Sequence, residues 1–202
     1  MLFRPPKFIK RLMPSLVWNM EGEKDVFLTF DDGPTPGVTE WVLEELSKHN
    51  AKATFFCLGK NAEQYPDLHQ AIVDAGHKVG NHTYSHQKGW GMSLENYVED
   101  IDFANQILKS DLFRPPYGRI KPSQARVISE RYNMIMWDVL SRDYSSMITP
   151  KKCLENVTKY VREGSIVVFH DSNKSLTNLH YVLPKVLDYL DSKGLKASSI
   201  NL

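Results

Sequence analysis

Short apolar runs and longer amphipathic stretches alternate along most of this chain. The short runs are rich in Val, Ile, Leu and Phe, a composition that predicts buried strands. The longer stretches repeat apolar residues every three or four positions, which predicts helices that bury one face. Strands are predicted at 26–30, 53–58, 77–80, 112–114, 134–138, 165–169 and 196–200.

Residues with capping preferences mark the predicted helix ends. Ser93 and Thr149 are suited to N-cap positions, and Gly76 and Gly164 are suited to follow a helix end. The predicted helices cover 38–48, 66 to about 75, 94–108, 122–132, 150 to about 163, and a last segment that ends near 192 and whose start is blurred by Pro184. Seven strands alternating with six or seven helices predict an α/β fold with a parallel sheet, either a closed barrel or an open doubly wound sheet.

Composition narrows the classes of protein that fit. The chain has 202 residues, 42% of them hydrophobic, with 25 Lys and Arg against 24 Asp and Glu, as expected for one globular domain. Near-neutral charge without blocks of like charge gives no reason to expect a nucleic-acid partner. No run approaches the roughly 18 apolar residues that a membrane span needs. Cys57 and Cys153 fit no C-x-x-C pattern, and buried free thiols are favoured over a pair formed through the fold.

The first 22 residues are predicted to form an arm that precedes a domain at 23–202. Four basic residues precede a short apolar stretch at 12–18, but Pro14 interrupts that stretch and no cleavage site follows it. A cleavable signal peptide is therefore not predicted, and the chain is expected to be cytoplasmic or unconventionally exported unless its true start lies upstream. Packing of the arm against the domain is favoured over contact with a membrane surface.

Polar residues suited to chemistry follow the predicted strands. In both candidate folds the carboxyl ends of parallel strands share one face, and that face carries the active site. We therefore expect these residues to meet. They are Asp31 and Asp32 after the first strand, His82 and His86 after the third, Arg114 at the end of the fourth, Asp138 and Asp143 after the fifth, and His170 after the sixth.

The spacing of two histidines predicts a metal site. His82 and His86 form an H-x3-H pair, which lets both rings face one point. Asp31 and Asp32 leave their strand in diverging directions, so one carboxylate can bind a cation while the other acts as a base. Two histidines and one carboxylate with an open position are typical of a catalytic site for zinc or another divalent transition metal.

These motifs together resemble the polysaccharide deacetylase family, the NodB-homology domain of carbohydrate esterase family 4, over residues 24–202. The segment TFDDGP at 29–34 looks like the first motif of that family. The resemblance implies that Asp31 is the catalytic base and Asp32 a metal ligand. It also implies a distorted (β/α) barrel with about seven parallel strands.

The second and third motifs are also recognisable. The segment NHTYSH at 81–86 is similar to the motif that supplies both metal-binding histidines, which implies that His82 and His86 are ligands. The segment RPPYG at 114–118 resembles the third motif, which implies that Arg114 steadies the base and Tyr117 offers a backbone N–H to the oxyanion. From the residues alone, a plain turn that ends a strand is the less favoured alternative for this rigid loop.

The last two motifs differ in how well they match. IVVFH at 166–170 looks like a conservative version of the family's Leu-x-Leu-x-His, which implies that His170 is the general acid. The fourth motif departs from Asp-x-x-Asp-Trp, because Leu140 and Tyr144 replace its first Asp and its Trp. Asp143 keeps the second Asp, whose counterpart pairs with the acidic histidine. Tyr144 retains an aromatic wall but adds a hydroxyl to the substrate pocket.

The function implied is metal-assisted removal of N-acetyl groups from an amino-sugar polymer or oligomer, such as peptidoglycan or chitin-like N-acetylglucosamine, with release of acetate. Zinc is the expected ion, with cobalt or nickel as alternatives. Trp90, between two glycines, is a candidate sugar-stacking platform or a core or lid residue. The alternatives are an O-acetyl-xylan esterase, a deacylase of a small sugar or amide, and a non-catalytic carbohydrate- or metal-binding protein. A monomer is expected.

Overall fold

The computed structural model describes residues 15–21 and 24–202, and expectations about residues 1–14 lie outside them. In the described residues nine strands form one sheet, in the order β1-β6-β5-β4-β3-β2-β8-β7 with β9 on β2. All the strand pairs of this sheet are parallel. The strands are β1 Leu16–Val17, β2 Asp25–Asp31, β3 Thr54–Cys57, β4 Lys78–Asn81, β5 Leu112–Phe113, β6 Asn133–Ile135, β7 Val139–Leu140, β8 Ile166–His170 and β9 Lys196–Ala197.

Over the same described ranges, seven α-helices connect the strands. The two predicted N-caps are confirmed, since the Ser93 and Thr149 side chains accept hydrogen bonds from the first turns of their helices. The helix predicted to run to about 163 ends at Thr158 instead, so Gly164 does not follow a helix end. Pro184 lies inside the last helix rather than at its start. The helices are α1 Thr39–Lys48, α2 Gly59–Gln64, α3 Pro66–Asp74, α4 Leu94–Leu108, α5 Pro122–Ile128, α6 Pro150–Thr158 and α7 Leu176–Ser192.

The fold is the expected distorted (β/α) barrel, and the chain after β1 helps to close it. Asn19 forms an antiparallel bridge with Ser165, and the Met20 N–H donates to the Gly164 carbonyl at 2.9 Å. Gly164 has a φ of 75°, and a β-carbon there would collide with the Met20 carbonyl. A glycine is therefore required where β8 begins.

Part of the predicted arm belongs to this barrel. Leu16 and Trp18 are buried, and β1 pairs with β6. Cys57 and Cys153 are free and buried, as expected. Within 15–21 and 24–202, none of the helices combines the length and the apolar character needed to cross a membrane.

An aromatic layer lies directly beneath the carboxyl ends of the central strands. The Phe30 ring stacks between Phe55 and Phe169, with centroid distances of 5.0 and 5.8 Å. The next residues along β2 and β8 are Asp31 and His170, which are register partners. Because side chains alternate along a strand, this rigid apolar layer fixes the backbone from which both polar side chains project.

Candidate active site

A pocket of about 540 Å³ opens where the sequence placed the polar residues, at the carboxyl ends of the strands. Arg114 and Asp143 are fully buried and contact two of the lining residues directly. Seven of the predicted site residues line the pocket: Asp31, Asp32, His82, His86, Tyr117, Tyr144 and His170.

Two predicted residues lie elsewhere. The expectation that Asp138 joins the active-site face is wrong: its carboxylate accepts the Ile166 N–H at 3.0 Å and pairs with Arg162 at 3.0 Å, at the amino end of β8. The predicted strand 134–138 is in fact split, so Asp138 precedes β7 instead of following a strand. Trp90 lies in an exposed turn outside the pocket lining, with its ring 5.3 Å from the guanidinium carbon of Arg119.

Asp32, His82 and His86 bring one ligand atom each within 4.8 Å of one another. Oδ1 of Asp32 lies 3.7 Å from Nε2 of His82 and 3.1 Å from Nε2 of His86, yet this buried oxygen makes no hydrogen bond within the described part of the chain. Burial would raise the pKa of Asp32, but the His86, His170 and His82 rings outweigh it and hold that pKa well below its usual range. A buried carboxylate oxygen facing two imidazole nitrogens fits a divalent transition metal.

The backbone at two of these three residues is unusual. Asp32 has a φ of 80° and His86 a φ of 59°, both in the left-handed region that residues other than glycine seldom adopt. Such conformations cost about 1 to 3 kcal/mol each and persist where the surroundings enforce them. The fold therefore holds Asp32 and His86 in backbone conformations that an unconstrained loop seldom adopts.

A backbone carbonyl fixes the orientation of His82. Nδ1 of His82 lies 2.7 Å from the carbonyl oxygen of Arg114, so Nδ1 carries the proton and donates. Burial is the main reason that the pKa of His82 is lowered, which favours the neutral ring. The lone pair of Nε2 is then free to bind a cation.

Asp31 is held by a buried arginine. Nη1 of Arg114 lies 2.7 Å from Oδ1 of Asp31 and 2.7 Å from Oγ1 of Thr29. Nε and Nη2 donate to the carbonyl oxygens of Ile135 and Met136 at 3.1 and 3.0 Å. Because the guanidinium geometry is set by four acceptors, the Asp31 carboxylate is fixed in position and its charge is paired.

His170 is paired with a carboxylate on the other side of the pocket. Its Nδ1 lies 2.8 Å from Oδ1 of Asp143, and its backbone N–H donates to Oδ2 at 2.7 Å. Burial would lower the pKa of His170, but the charge and hydrogen bond of Asp143, with the charges of Asp32 and Asp31, raise it to about 9. The ring is therefore an imidazolium at neutral pH, with Nε2 as its free proton donor.

The Tyr117 turn contributes a backbone donor and a ring. Tyr117 has a φ of 60° in the short turn Pro116–Gly118, and its ring lies 4.7 Å from that of His86. Among the described residues its backbone N–H has no acceptor, so it is available to a bound substrate.

The departures in the fourth motif give the pocket an apolar wall. Leu140 lines the pocket together with Val168 and Trp137, so the replaced carboxylate leaves a hydrophobic surface. The Tyr144 ring packs edge-on against His170 at 4.8 Å, and burial raises the pKa of its hydroxyl. An aromatic wall beside His170 is therefore retained.

Sequence reasoning assigned no role to Asp171, which the structure places directly behind the site. Its fully buried carboxylate accepts the Gly33 N–H at 3.1 Å and the Thr39 hydroxyl at 2.6 Å. A β-carbon at Gly33 would collide with this carboxylate. Asp171 thus fastens the turn that follows Asp32. The signal available in the sequence was an acidic residue directly after His170.

Comparison with known proteins agrees with this geometry. A sequence model of polysaccharide deacetylases matches residues 19–135, more than half of the 202 residues. The chain belongs to the polysaccharide deacetylase family. One relative, a peptidoglycan-N-acetylglucosamine deacetylase from Bacillus cereus, is 35% identical over 186 residues. The match covers 85% of this chain and 65% of that relative's length.

Solved structures of similar shape include an enzyme and a pseudoenzyme. The crystal structure of a peptidoglycan N-acetylglucosamine deacetylase bound to a naphthalenyl N-oxidanyl-benzamide has a TM-score of 0.87 and 30% identity, and the match covers 95% of this chain and 93% of that one. A pseudoenzyme of carbohydrate esterase family 4 from Bacillus anthracis has a TM-score of 0.83 and 25% identity, covering 97% and 71%. The deacetylase family thus includes chains without activity, so membership alone does not establish activity. The residues of each chain's site determine whether that chain is active.

Proposed function

We propose that this polysaccharide deacetylase is a metal-dependent amidohydrolase that removes N-acetyl groups from N-acetylglucosamine units of a glycan and releases acetate. The observation that carries the proposal is the arrangement of Asp31 and His170. They are register partners on adjacent strands, one bound to Arg114 and the other to Asp143, and both line the pocket that holds the Asp32, His82 and His86 cluster.

The cluster would hold the metal ion. A divalent ion bound there supplies Lewis-acid polarisation of the acetyl carbonyl and lowers the pKa of a water molecule. The expected ion is zinc, with cobalt and nickel as alternatives, because imidazole nitrogen and carboxylate oxygen suit all three.

Asp31 is the general base in this proposal. Its Oδ1 is bound to Arg114, while Oδ2 lies 4.0 Å from Nε2 of His82, at the edge of the cluster. Oδ2 therefore accepts the proton of the attacking water. The backbone N–H of Tyr117 donates to the oxygen that becomes negatively charged.

His170 is the general acid. An amine leaves poorly unless its nitrogen is protonated, so amide hydrolysis requires a donor on the leaving-group side. The imidazolium held by Asp143 donates its Nε2 proton to that nitrogen. The products are acetate and a free amino group on the sugar.

The experiment is a screen of acetate release from chito-oligosaccharides, peptidoglycan and acetyl-xylan. The protein is stripped with a chelator, dialysed and assayed with and without added Zn²⁺, Co²⁺ or Ni²⁺. We expect activity on at least one N-acetylated glycan, loss of that activity after chelation and recovery with metal. Undiminished activity in metal-free protein would contradict the metal dependence.

Two other functions give different results in the same screen. An O-acetyl-xylan esterase would release acetate from acetyl-xylan in preference to the N-acetylated glycans. The apolar wall at Leu140 and Val168 accepts the methyl of an O-acetyl or an N-acetyl group. A non-catalytic binding protein would release none. Asp31 and His170 argue against the latter, because binding requires neither a base nor an acid.

A further inference from the structure

Residues 82–86 form a loop that begins and ends with a histidine of the metal cluster. We refer to these residues as the histidine loop. Thr83 and His86 have φ values of 68° and 59°, in the left-handed region that residues other than glycine seldom adopt. Because such backbone conformations cost free energy, contacts with the surrounding structure must hold the loop in place.

The two histidines of the loop differ in what orients their rings. Nδ1 of His82 donates to the Arg114 carbonyl at 2.7 Å, which fixes that ring directly. Within the described part of the chain, Nδ1 of His86 has no hydrogen-bond partner, and its ring contacts are with His82 and Tyr117. The direction in which Nε2 of His86 points at the Asp32 carboxylate therefore depends on the backbone of the histidine loop.

A carboxylate on α4 accepts hydrogen bonds from the middle of this loop. Oδ2 of Asp100 accepts the backbone N–H groups of Tyr84 and Ser85 at 3.2 and 3.3 Å, and Oδ1 accepts the Ser85 hydroxyl at 2.7 Å. The Asp100 carbonyl also accepts the Tyr84 N–H, at 3.2 Å. Hydrogen bonds to a charged acceptor are roughly twice as strong as those between neutral groups. Asp100 thus holds the two residues that directly precede His86.

Helix α2 binds other groups of the same loop. The Gly59 N–H donates to the Thr83 carbonyl at 2.9 Å. The Tyr84 hydroxyl donates to the Glu63 carboxylate at 2.7 Å. The loop is therefore attached to two helices, and removal of the Asp100 carboxylate would release its N–H groups while leaving the contacts with α2.

From these contacts we infer that Asp100 is a positioning residue for the metal ion: it fixes the backbone at Tyr84 and Ser85 and so keeps Nε2 of His86 directed at Asp32. The inference rests on the proposed function, in which the cluster holds the ion. Asp100 does not line the pocket, so it acts through the histidine loop and does not touch the substrate. Groups that orient metal ligands from outside the coordination sphere typically change metal affinity about 10- to 100-fold when they are removed.

The test measures metal binding by the metal-free protein, independently of turnover. Zn²⁺ affinity is obtained by competition with a chromogenic chelator, and the absorption spectrum of bound Co²⁺ reports the ligand geometry. Asp100→Ala is expected to weaken Zn²⁺ affinity about 10- to 100-fold and to change the Co²⁺ spectrum, because His86 is no longer held. Asp100→Asn should keep Zn²⁺ affinity within about threefold of wild type, since its amide oxygen can accept both N–H groups and its NH₂ can donate to the Ser85 hydroxyl.

Two further substitutions show whether the effect passes through the loop. Asp102→Ala, on the same helix, removes an exposed pair with Arg131 and should leave Zn²⁺ affinity and the Co²⁺ spectrum unchanged. Ser85→Ala removes one hydrogen bond to Asp100 and should weaken Zn²⁺ affinity about twofold to tenfold, the range expected for one hydrogen bond. In the Asp100→Ala background, Ser85→Ala should cause no further loss, because its partner is already absent.

Thermal melts of the metal-free variants separate positioning from stability. A lower melting temperature of Asp100→Ala with unchanged Zn²⁺ affinity would assign Asp100 a structural role only and overturn the inference. An equal loss of affinity in Asp100→Asn and Asp100→Ala would also overturn it, because the charge would then matter and the hydrogen-bond geometry would not. If Asp100→Ala does not fold, Ser85→Ala is decisive, and unchanged Zn²⁺ affinity in that variant overturns the inference.

The wild-type protein tests the proposed function separately. Failure of wild type to bind Zn²⁺ or Co²⁺ would contradict the metal dependence of the proposed function. If wild type binds both ions and Asp100→Ala has the same affinity and the same Co²⁺ spectrum, the proposed function stands and only the inference is overturned. Additive losses from Ser85→Ala and Asp100→Ala would likewise overturn the inference alone, because the two residues would then act independently.

Discussion

His170 and Asp143 are joined by two hydrogen bonds, one from the ring and one from the backbone. Nδ1 lies 2.8 Å from Oδ1, and the His170 N–H donates to Oδ2 at 2.7 Å. The backbone bond fixes the carboxylate independently of the protonation state of the ring. The pair is thus held in a fixed geometry, and Asp143 carries the largest of the charges that raise the pKa of His170.

Replacing that charge should change the pH dependence of the reaction. His170 acts in its protonated form, so the rate falls as pH rises through its pKa, which is raised to about 9. Asp143→Asn removes the main charge that raises this pKa. We expect the alkaline limb of kcat to move to lower pH by about one unit or more, with kcat reduced at neutral pH.

The measurement is a pH profile of kcat with metal content determined in parallel. Asp102→Asn, which breaks an exposed pair with Arg131, is the control and should leave the profile unchanged. An alkaline limb that stays in place in Asp143→Asn would assign that limb to another group.

Removing the acid should affect amides more than activated esters. His170→Ala eliminates the proton donor to the leaving group, and phenolate-like groups depart without a proton. We expect a loss in kcat of about 100- to 10,000-fold on an N-acetylated glycan and a much smaller loss on an aryl acetate. Equal proportional losses on both substrates would indicate that His170 binds substrate instead.

Substituting the two adjacent carboxylates one at a time should distinguish the residue that binds metal from the residue that accepts the proton. Asp31→Asn should retain one metal ion per chain but lose turnover by about 100-fold or more, because Oδ2 no longer accepts a proton. Asp32→Asn should lose metal affinity, since Oδ1 is the cluster's oxygen ligand. Metal analysis after dialysis distinguishes them, and loss of metal in both variants would mean that both carboxylates are ligands.

The turn behind Asp32 should not tolerate a methyl group. Gly33→Ala places a β-carbon against the Asp171 carboxylate and is expected to destabilise the protein by about 1 to 3 kcal/mol while lowering metal affinity. Gly91→Ala, which meets open space, is the matched glycine control. Thermal melts and metal titrations of both variants test this. Equal melting temperatures and equal metal affinities in the two variants would show that the turn accommodates the methyl group without loss of stability.

The sequence pattern predicted which residues meet at the pocket, because these residues lie at strand ends. Once the strands at 26–30 and 165–169 are recognised, a parallel sheet brings Asp31 and His170 to one face. The prediction failed for Asp138 because one apolar run, 134–138, contains a break that composition does not reveal. There the Asp138 carboxylate accepts the Ile166 N–H, while the Asp138 N–H donates to the Ile166 carbonyl at 3.2 Å.

Other features depend on contacts that no local pattern encodes. The Arg114 guanidinium binds Thr29 and two carbonyl groups on β6 and just beyond it, residues separated from it by 21 to 85 positions. The role of Asp171 likewise depends on Gly33 and Thr39, 138 and 132 positions away. The two-residue strand β1 is too short for periodicity to indicate.

Because of the contacts of Arg114, activity at the proposed site depends on complete folding of the barrel. Its guanidinium joins β2 to the chain around β6, and its carbonyl orients His82 after β4. A partly folded chain, in which any of these strands is out of register, leaves the base unsupported or the ligand ring free to rotate. If the proposed function is correct, hydrolysis should therefore require β2, β4 and β6 to be in register at the same time, and a partly folded chain would be unable to damage a glycan.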